Sequence, residues 1–430
     1  MISLKMLIKN TFIVTMDQEK GNIEKGYIYI EDEKIREVGI GEYNEEVKGI
    51  KVINGEGYCA MPGLINCHTH ASMTLLRGYG EGLPLMKWLN EKIWPMERKF
   101  EEKHIKIGTG IACIEMLRSG TTTLNDMYFM MPEVMKGMEN FNMRAMLGTT
   151  IIGQNWEKQL SDAIDLKEIV KKKNNRGLLT TSFAPHSPYS LSFEALREVA
   201  QAAKQYKENI HIHVSETTDE LDIVKQKYNM TPVELMVKTG IADNKVTAAH
   251  CVHLNNKDIK IIKEKDISVI YNPQSNMKLA SGTPRIIEML DENINVCLGT
   301  DGTSSNNNLN MFEEMETGVM LQNLFYKDAT RISSEKMLKI ATINGAKALG
   351  LEKLGVLKEG YFADIIMINL NKPNLIPCHD IYSNIVFSAN GSEVEYVIIN
   401  GKIVMDNGEF VDIDEERILY ESNKFFKESI

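Results

Sequence analysis

The segment MPGLINCHTH, residues 61–70, decides the fold, because its apolar run has the composition of a buried strand and ends in His68 and His70. In a strand, residues i and i+2 point to the same face, so both imidazoles would project together from the end of the strand. Two such imidazoles can bind one metal ion, whereas the plainer interpretation is a pair of hydrogen-bonded core histidines. The neighbouring strands decide between the two.

Seven more apolar segments of this kind follow, and segments with helical spacing, such as residues 104–120 and 192–207, alternate with them. An alternation of eight strands with helices predicts an α/β fold, a (β/α)8 TIM barrel over residues 58–357. The predicted strands lie in residues 63–70, 121–128, 144–152, 178–187, 209–217, 245–254, 267–275 and 294–302.

The two ends of the chain have a different pattern. Residues 1–57 contain short alternating strands with tight turns, and the same pattern returns after residue 358, where NGK (400–402) and DNGE (406–409) indicate hairpins. We therefore expect residues 1–57 and 358–430 to form one composite β-sandwich domain. Residues 414–430 have helical spacing and predict a terminal helix.

Composition excludes several classes of protein. The 430 residues carry a net charge of −10 with acidic and basic residues interleaved, which argues against a nucleic acid polymer as partner. Six scattered cysteines form no Cys-x-x-Cys pair, so a reducing cytoplasm is the expected location. No uncharged apolar run is long enough to cross a membrane, and the first residues lack a signal-peptide core, so neither membrane insertion nor secretion is expected.

Ionisable residues follow the predicted strands at the end where barrel enzymes place their active sites. Five of the eight predicted strands deliver such a residue to this rim, and nine histidines scattered independently would not do so: His68, His70, His186, His213 with Glu216, His250 and Asp301. His211 lies one layer deeper, and His253 is expected beyond the rim. His104 and His379 stand among charged or loop residues and are expected at the surface.

Together, His68, His70, His213 and Asp301 offer three imidazole nitrogens and a carboxylate, which suit zinc or ferrous iron with one position left for water. Glu216 would lie directly above this metal and could move a proton between the water and a substrate nitrogen. A helix N-terminal acid is the plainer interpretation of Glu216. His250 could orient the water or stabilise a developing negative charge.

This arrangement resembles the amidohydrolase superfamily, which has His-x-His after strand one, single histidines after strands five and six, and aspartate after strand eight. The resemblance covers nearly the whole chain. It implies one divalent metal ion, zinc or else iron, because the fourth strand has no lysine of the kind that bridges two metals in relatives. It further implies that Glu216, His250 and Asp301 are catalytic.

Within the superfamily, longer segments are similar to the 5-methylthioadenosine/S-adenosylhomocysteine deaminase group: residues 75–97, APHSPYS (184–190), HVSET (213–217) and residues 299–315. That resemblance implies substrate contacts by Glu97 on the ribose, His186 on the nucleoside, Glu216 and Asp301 at the purine, and Trp88 in a lid. A solvated helix acid is the plainer interpretation of Glu97.

The implied reaction is hydrolytic deamination of an adenosine-type nucleoside. Two alternatives stay open: another mononuclear amidohydrolase, acting on guanine, cytosine, an oxidised purine or a chlorinated triazine, or a catalytically silent barrel used for assembly. Relatives often carry an arginine in strand three that meets a polar substrate tail, whereas this chain offers Thr149 there, with Arg144 upstream. Methylthioadenosine or adenosine is therefore expected ahead of S-adenosylhomocysteine, and the fold is compatible with a monomer or a homo-oligomer.

Overall fold

A barrel of parallel strands forms the centre of the molecule, in a computed structural model that describes residues 4–45, 49–173 and 176–429. Each strand pairs in parallel with the next. Hydrogen bonds between Asn66 and Thr300 join the eighth strand's end to the first, with Nδ2 to Oγ1 at 2.7 Å. The eight predicted strands are confirmed as Leu64–Thr69, Thr121–Tyr128, Arg144–Ile151, Leu179–Pro185, Asn209–Val214, Val246–His250, Ser268–Tyr271 and Val296–Leu298.

Helices surround the barrel, as the alternating pattern predicts. The larger ones that follow the strands are Glu102–Arg118, Met131–Gly137, Trp156–Lys172, Phe193–Tyr206, Thr218–Tyr228, Pro232–Thr239, Asn256–Glu264, Ile286–Asp291, Met311–Tyr326, Ser334–Ala341 and Ile343–Leu349. A short helix, Pro273–Lys278, directly follows the seventh strand. Short helical turns at Leu85–Trp88 and Trp94–Glu97 lie in the long segment after the first strand.

The barrel strands are buried on both faces, as is usual for parallel strands covered by helices. All residues of the first, second and third strands are buried. Small and branched side chains such as Ile65, Ala249 and Ile270 fill the interior, and the opposite faces join a larger core shared with the helices. The barrel is therefore a packed scaffold, and its chemistry is confined to the strand ends.

The chain termini form a second, nine-stranded sheet. Its strands are Lys5–Val14, Asn22–Glu31, Lys34–Ile40, Lys51–Asn54, Tyr58–Pro62, Ile365–Asn369, Val394–Ile399, Lys402–Asp406 and Glu409–Phe410. The sheet bends over its own core, since the backbone N–H of Ile35 donates to the carbonyl of Tyr361 at 2.9 Å. Tyr58–Pro62 pairs within this sheet, and Gly63 separates it from the first barrel strand. The division at residues 57 and 58 stays a prediction.

The predicted terminal helix is present as Glu415–Ser429. It is held against the barrel by Arg118, whose Nε donates to Glu415 Oε1 at 2.8 Å. No helix in the described part of the chain combines the length and apolar character that a membrane span requires.

One surface assignment is wrong. His104 is buried, because it lies in the first turn of Glu102–Arg118 and its Nδ1 accepts a hydrogen bond from the backbone N–H of Glu101 at 2.9 Å. This bond is half of a reciprocal helix cap, in which the Glu101 side chain accepts from the backbone N–H of His104. The neighbouring charged residues in the sequence suggested an exposed position instead. His379 is exposed, as predicted.

Candidate active site

Four side chains converge at the C-terminal ends of barrel strands one, five and eight. The ligand atoms of His68, His70, His213 and Asp301 all lie within 4.8 Å of one another. Asp301 Oδ1 is 3.3 Å from His68 Nε2 and 3.2 Å from His70 Nε2. The structure thus brings together the four residues predicted to hold a metal.

Hydrogen bonds on the far side of each ring fix which nitrogen faces the centre. His70 Nδ1 donates to the carbonyl of Met127 at 2.6 Å, and His213 Nδ1 donates to the carbonyl of His186 at 2.7 Å. Because a carbonyl can only accept, both Nδ1 atoms carry a hydrogen, and Nε2 is the nitrogen on each ring that is left to bind a metal ion. His68 Nδ1 shares a hydrogen bond with His211 Nε2 at 2.8 Å, so His211 orients the His68 ring from the layer below.

The resulting cluster fits a divalent cation. His70 Nε2 and His213 Nε2 face each other across 3.4 Å, so with both rings neutral their lone pairs would repel and a cation between them would relieve that repulsion. His68 Nε2 is buried and has no hydrogen-bond partner. Three imidazole nitrogens with one carboxylate, each oriented by a further hydrogen bond, are the donor set of a catalytic metal site.

Asp301 is held by three neighbours. Its Oδ2 accepts from Ser275 Oγ at 2.7 Å and Ser305 Oγ at 2.8 Å, and its Oδ1 accepts from the Gly302 backbone N–H at 2.8 Å. Burial alone would raise the pKa of Asp301, but His68 and His70 hold it well below its usual value. The aspartate is therefore an anion aimed at the cluster.

The backbone at the strand ends is strained where it presents these groups. Ser215, His250 and Asp301 have φ values of 51°, 71° and 63°, a region that residues with a side chain adopt rarely. Gly299 also matters, because a Cβ there would lie 2.8 Å from His68 Cβ. A glycine before Thr300 and Asp301 is what allows strands one and eight to approach so closely.

Glu216 lies beside the cluster, on the loop after strand five. Its Oε2 is 3.8 Å from His250 Nε2, and its Oε1 accepts a weak hydrogen bond from Ser281 Oγ at 3.4 Å. Burial, and then the charge of Asp301, raise the pKa of Glu216 to about 8. A carboxyl group that keeps its proton near neutral pH can donate it to a substrate.

Two side chains behind Glu216 and His250 set their orientation. The backbone N–H of Glu216 donates to Glu220 Oε2 at 2.9 Å, and Glu220 is almost fully buried. Asn276 Nδ2 lies 2.9 Å from His250 Nδ1. His250 Nε2 is thereby turned towards Glu216 and the cluster.

A chamber lies above the cluster, with walls contributed in part by the long segment after strand one. Its apolar lining consists of Met73, Leu85, Trp88, Leu89, Trp94, Met127, Phe129, Ile152 and Leu279. Glu97 also faces this chamber, and Tyr128 Oη donates to Glu97 Oε1 at 2.7 Å. Glu97 is half-buried, and burial raises the pKa of its carboxyl group, which favours the chamber role over that of a solvated helix acid.

His186 and Trp88 line the same chamber, as the sequence predicts, and Thr149 does not. Thr150 and Ile152 take that place, because neighbouring residues of a strand face opposite sides and the prediction was one residue out of step. Arg144 is excluded as a substrate contact: it begins the strand at the other end of the barrel, in a buried ion pair with Asp364 at 2.9 Å.

Residues 59–404 match the model of the amidohydrolase family. The chain belongs to the amidohydrolase family. A 5-methylthioadenosine/S-adenosylhomocysteine deaminase of Clostridium tetani is 57% identical over 426 residues, covering 99% of both chains. A 5′-deoxyadenosine deaminase of Methanosarcina mazei is 42% identical over 428 residues, covering 99% of this chain and 98% of the relative. These relatives confirm the resemblance identified in the sequence.

A solved structure of a zinc-bound adenosine deaminase from Xanthomonas campestris superposes with a TM-score of 0.93 at 29% identity, covering 99% of this chain and 98% of the other. The likeness confirms the TIM barrel with its accompanying sheet.

Several residues of this amidohydrolase site escaped the sequence analysis: Tyr128, Ser275, Asn276, Glu220, Ser281 and Ser305. Most act on another side chain rather than facing the cluster themselves. The segment NPQSNMK (272–278) could have indicated Ser275 and Asn276, because its polar residues directly follow the seventh strand at the rim where the other site residues lie. Glu220 and Ser281 gave no comparable signal.

Proposed function

We propose that this amidohydrolase deaminates an adenosine-type nucleoside to the inosine analogue and ammonia. One observation carries the proposal: one chamber is lined by His70, His213 and Asp301 of the metal cluster, by the proton-holding Glu216 and by Glu97, with many apolar side chains between them. The names of the relatives support the same reaction.

Zinc is proposed as the metal, supported by the three-nitrogen, one-carboxylate donor set and by the zinc bound to the similar deaminase. When bound, the metal would supply a water molecule whose pKa it lowers towards about 7. Asp301 would take up a proton from the attacking water, and His250 Nε2 lies on the side of Glu216, where it would steady that water.

Glu216 would protonate the purine ring nitrogen beside the carbon that carries the amino group. Protonation makes that carbon electrophilic, so water adds there. The proton taken up by Asp301 would then pass to the amino group, which leaves as ammonia, and the hydroxyl proton of the adduct would return to Glu216. Because the pKa of Glu216 is raised to about 8, its proton is already in place at neutral pH.

Glu97 would accept hydrogen bonds from the ribose hydroxyls, with Tyr128 holding its other side. Among the described residues, no lysine or arginine lines the chamber, and Leu85, Trp88, Leu89 and Trp94 give it an apolar wall. These walls favour a small apolar 5′ substituent, so 5′-methylthioadenosine and 5′-deoxyadenosine are the preferred substrates. The six free cysteines support a reducing compartment such as the cytoplasm.

The test is ammonia release by zinc-loaded protein from 5′-methylthioadenosine, 5′-deoxyadenosine, adenosine, S-adenosylhomocysteine, guanine and cytosine, compared by kcat/KM. We expect the nucleosides to react and the free bases to be inert. Turnover of a free base alone would assign the chamber to a different amidohydrolase. Absence of turnover for all six would contradict the proposal.

A further inference from the structure

Within the part of the chain that the structure describes, one hydrogen bond holds the carboxyl group of Glu216. Ser281 Oγ donates it to Oε1 at 3.4 Å. The other oxygen, Oε2, lies 3.8 Å from His250 Nε2, which is beyond hydrogen-bond distance. A glutamate side chain has several rotatable bonds, so the direction of this carboxyl depends on the contact with Ser281.

Ser281 lies in a turn that the backbone builds for it. The turn ends the short helix Pro273–Lys278, with the backbone N–H of Ser281 donating to the carbonyl of Asn276 at 2.9 Å and Ala280 in the left-handed cap conformation, at a φ of 53°. Gly282 follows with a φ of 126°, which residues with a side chain rarely adopt. Ser281 is buried there, so its hydroxyl is directed to Glu216 rather than to solvent.

His253 joins this turn to the loop that carries Glu216. Its ring Nε2 donates to the carbonyl of Ser281 at 2.7 Å, and its backbone N–H donates to the carbonyl of Ser215 at 2.9 Å. Ser215 directly precedes Glu216. A Cβ on Gly282 would lie 3.6 Å from His253 Cε1, so the ring packs closely against the turn. One histidine thus connects the two loops whose side chains meet at Glu216 Oε1.

We infer that Ser281 and His253 are positioning residues for the deamination: Ser281 directs the Glu216 carboxyl, and His253 holds Ser281 in place. This inference rests on the proposed function and deepens it. A protonated carboxyl group accepts at its carbonyl oxygen and donates from the other oxygen. With Oε1 accepting from Ser281, the proton lies on Oε2, the oxygen on the side of His250, from which a substrate nitrogen can receive it.

A purely structural role for the two residues makes a different prediction. If each only stabilised its own loop, the losses from Ser281→Ala and His253→Ala would be independent and would multiply in the double variant. If His253 acts through Ser281, removing both loses no more activity than Ser281→Ala alone. The double variant therefore separates the two roles.

The experiment measures kcat and KM for 5′-methylthioadenosine with the zinc-loaded proteins. Ser281→Ala and His253→Ala should each lower kcat about 3- to 10-fold, the effect of one modest hydrogen bond, and change KM by less than about twofold. His253→Gln should recover most of the lost kcat, because the glutamine amide can donate to the same carbonyl. Ser268→Ala is the control and should keep the wild-type kcat, since Ser268 is 6% exposed, as Ser281 is, but begins strand seven at the opposite end of the barrel.

Crystal structures of the zinc-loaded variants give a readout that needs no turnover. In Ser281→Ala the Glu216 carboxyl should leave its wild-type position or occupy more than one conformer, and in His253→Ala residues 280–282 should move away from Glu216. The inference is overturned by a wild-type kcat in Ser281→Ala, by multiplied losses in the double variant, or by an unmoved Glu216 carboxyl in Ser281→Ala. If wild type deaminates no nucleoside, the proposed function fails, while the crystal structures still decide whether Ser281 and His253 position Glu216.

Discussion

His70 Nε2 and His213 Nε2 face each other across 3.4 Å, and each ring donates its other N–H to a backbone carbonyl. The protein therefore fixes the direction of two lone pairs through backbone that belongs to the barrel itself. Their mutual repulsion is relieved by a cation, so we expect metal binding to stabilise the fold as well as to permit catalysis.

Removing the metal should abolish activity and lower the melting temperature. Dialysis against a chelator followed by stoichiometric zinc should restore both, because ligand binding stabilises the folded state. His70→Ala should lose the ion, whereas His379→Ala, an exposed histidine, should retain it. The checks are metal content per chain and thermal melting with and without zinc. Full activity in protein carrying less than about a tenth of an ion per chain would contradict this.

Glu216→Gln should remove the proton donor and preserve the metal site. The expected loss in kcat is about 10²- to 10⁴-fold, the range for a general acid or base. Metal content should stay at the wild-type value, since Glu216 is not among the four clustered ligands. Retained turnover would exclude Glu216 as the proton donor.

The pH dependence of wild type tests the same assignment. A carboxyl group with its pKa raised to about 8 is protonated below that pH, so kcat/KM should fall as the pH rises through about 8. Glu216→Gln should lack this limb in whatever activity remains. A falling limb unchanged by the substitution would belong to another group.

Glu220 should make stability depend on pH. Burial raises its pKa to about 8. The unfolded chain ionises Glu220 near the ordinary glutamate pKa of 4.5 while the folded chain keeps the proton, so between pH 4.5 and 8 the unfolded state binds fewer protons. The stabilisation that protonated Glu220 gives the folded state is therefore fully present below about pH 4.5, is lost as the pH rises towards 8, and changes no further above pH 8.

The melting temperature of Glu220→Gln should therefore fall less than that of wild type as the pH rises from 5.5 to 8. The amide oxygen of the glutamine can still accept the hydrogen bond from the Glu216 N–H. Glu234→Gln is the control, because the pKa of Glu234 is lowered rather than raised, chiefly by its hydrogen bond with Lys257. Parallel melting curves for wild type and Glu220→Gln would show that Glu220 is ionised in the fold.

The sequence predicted the parts of this structure that depend on periodicity. The eight strands follow from apolar runs that alternate with helical segments, and His68, His70, His213 and Asp301 were placed at one rim because their strands end in ionisable residues. The register of strand three did not follow, because TTII (149–152) has no polar alternation to show which threonine faces inwards. Thr149 was therefore chosen where Thr150 lines the chamber.

The supporting contacts could not be predicted, for a physical reason. Ser275 and Asn276 act from a short helix after strand seven, and Tyr128 reaches Glu97 from a distant segment. Such contacts depend on where loops fold back, and serine, asparagine and tyrosine are common at positions without such roles. Their meaning emerges only once the atoms they contact are placed.

Glu97 should distinguish nucleosides from free bases. Glu97→Ala is expected to lower kcat/KM for 5′-methylthioadenosine about 10- to 100-fold, the effect of losing charged hydrogen bonds to the ribose. Tyr128→Phe should give a smaller loss, because it removes one donor to Glu97 and leaves the carboxylate. Purine bases without ribose, tested as competitive inhibitors, should bind both variants as wild type does. If Glu97→Ala weakened the nucleoside and the free bases equally, Glu97 would not act through the ribose.

Asn276 should set the tautomer of His250. With Nδ2 donating to His250 Nδ1 at 2.9 Å, the ring carries its hydrogen on Nε2, the nitrogen that lies 3.8 Å from Glu216 Oε2. His250 then serves as a hydrogen-bond donor to the attacking water or the developing negative charge. Asn276→Asp would place an acceptor against Nδ1, move the hydrogen to that side and leave Nε2 as an acceptor.

The expected result for Asn276→Asp is a fall in kcat of about 10²- to 10³-fold, as for the loss of one donor to a developing charge, with KM little changed. Asn295→Asp is the matched control, since Asn295 is a buried amide that contacts Ser268 at the opposite end of the barrel. Nitrogen NMR shifts of His250 report the tautomer directly. An Nδ1–H ring in wild type would reverse the assignment: Asn276 would then accept through its oxygen, and Nε2 would be an acceptor that removes the water's proton.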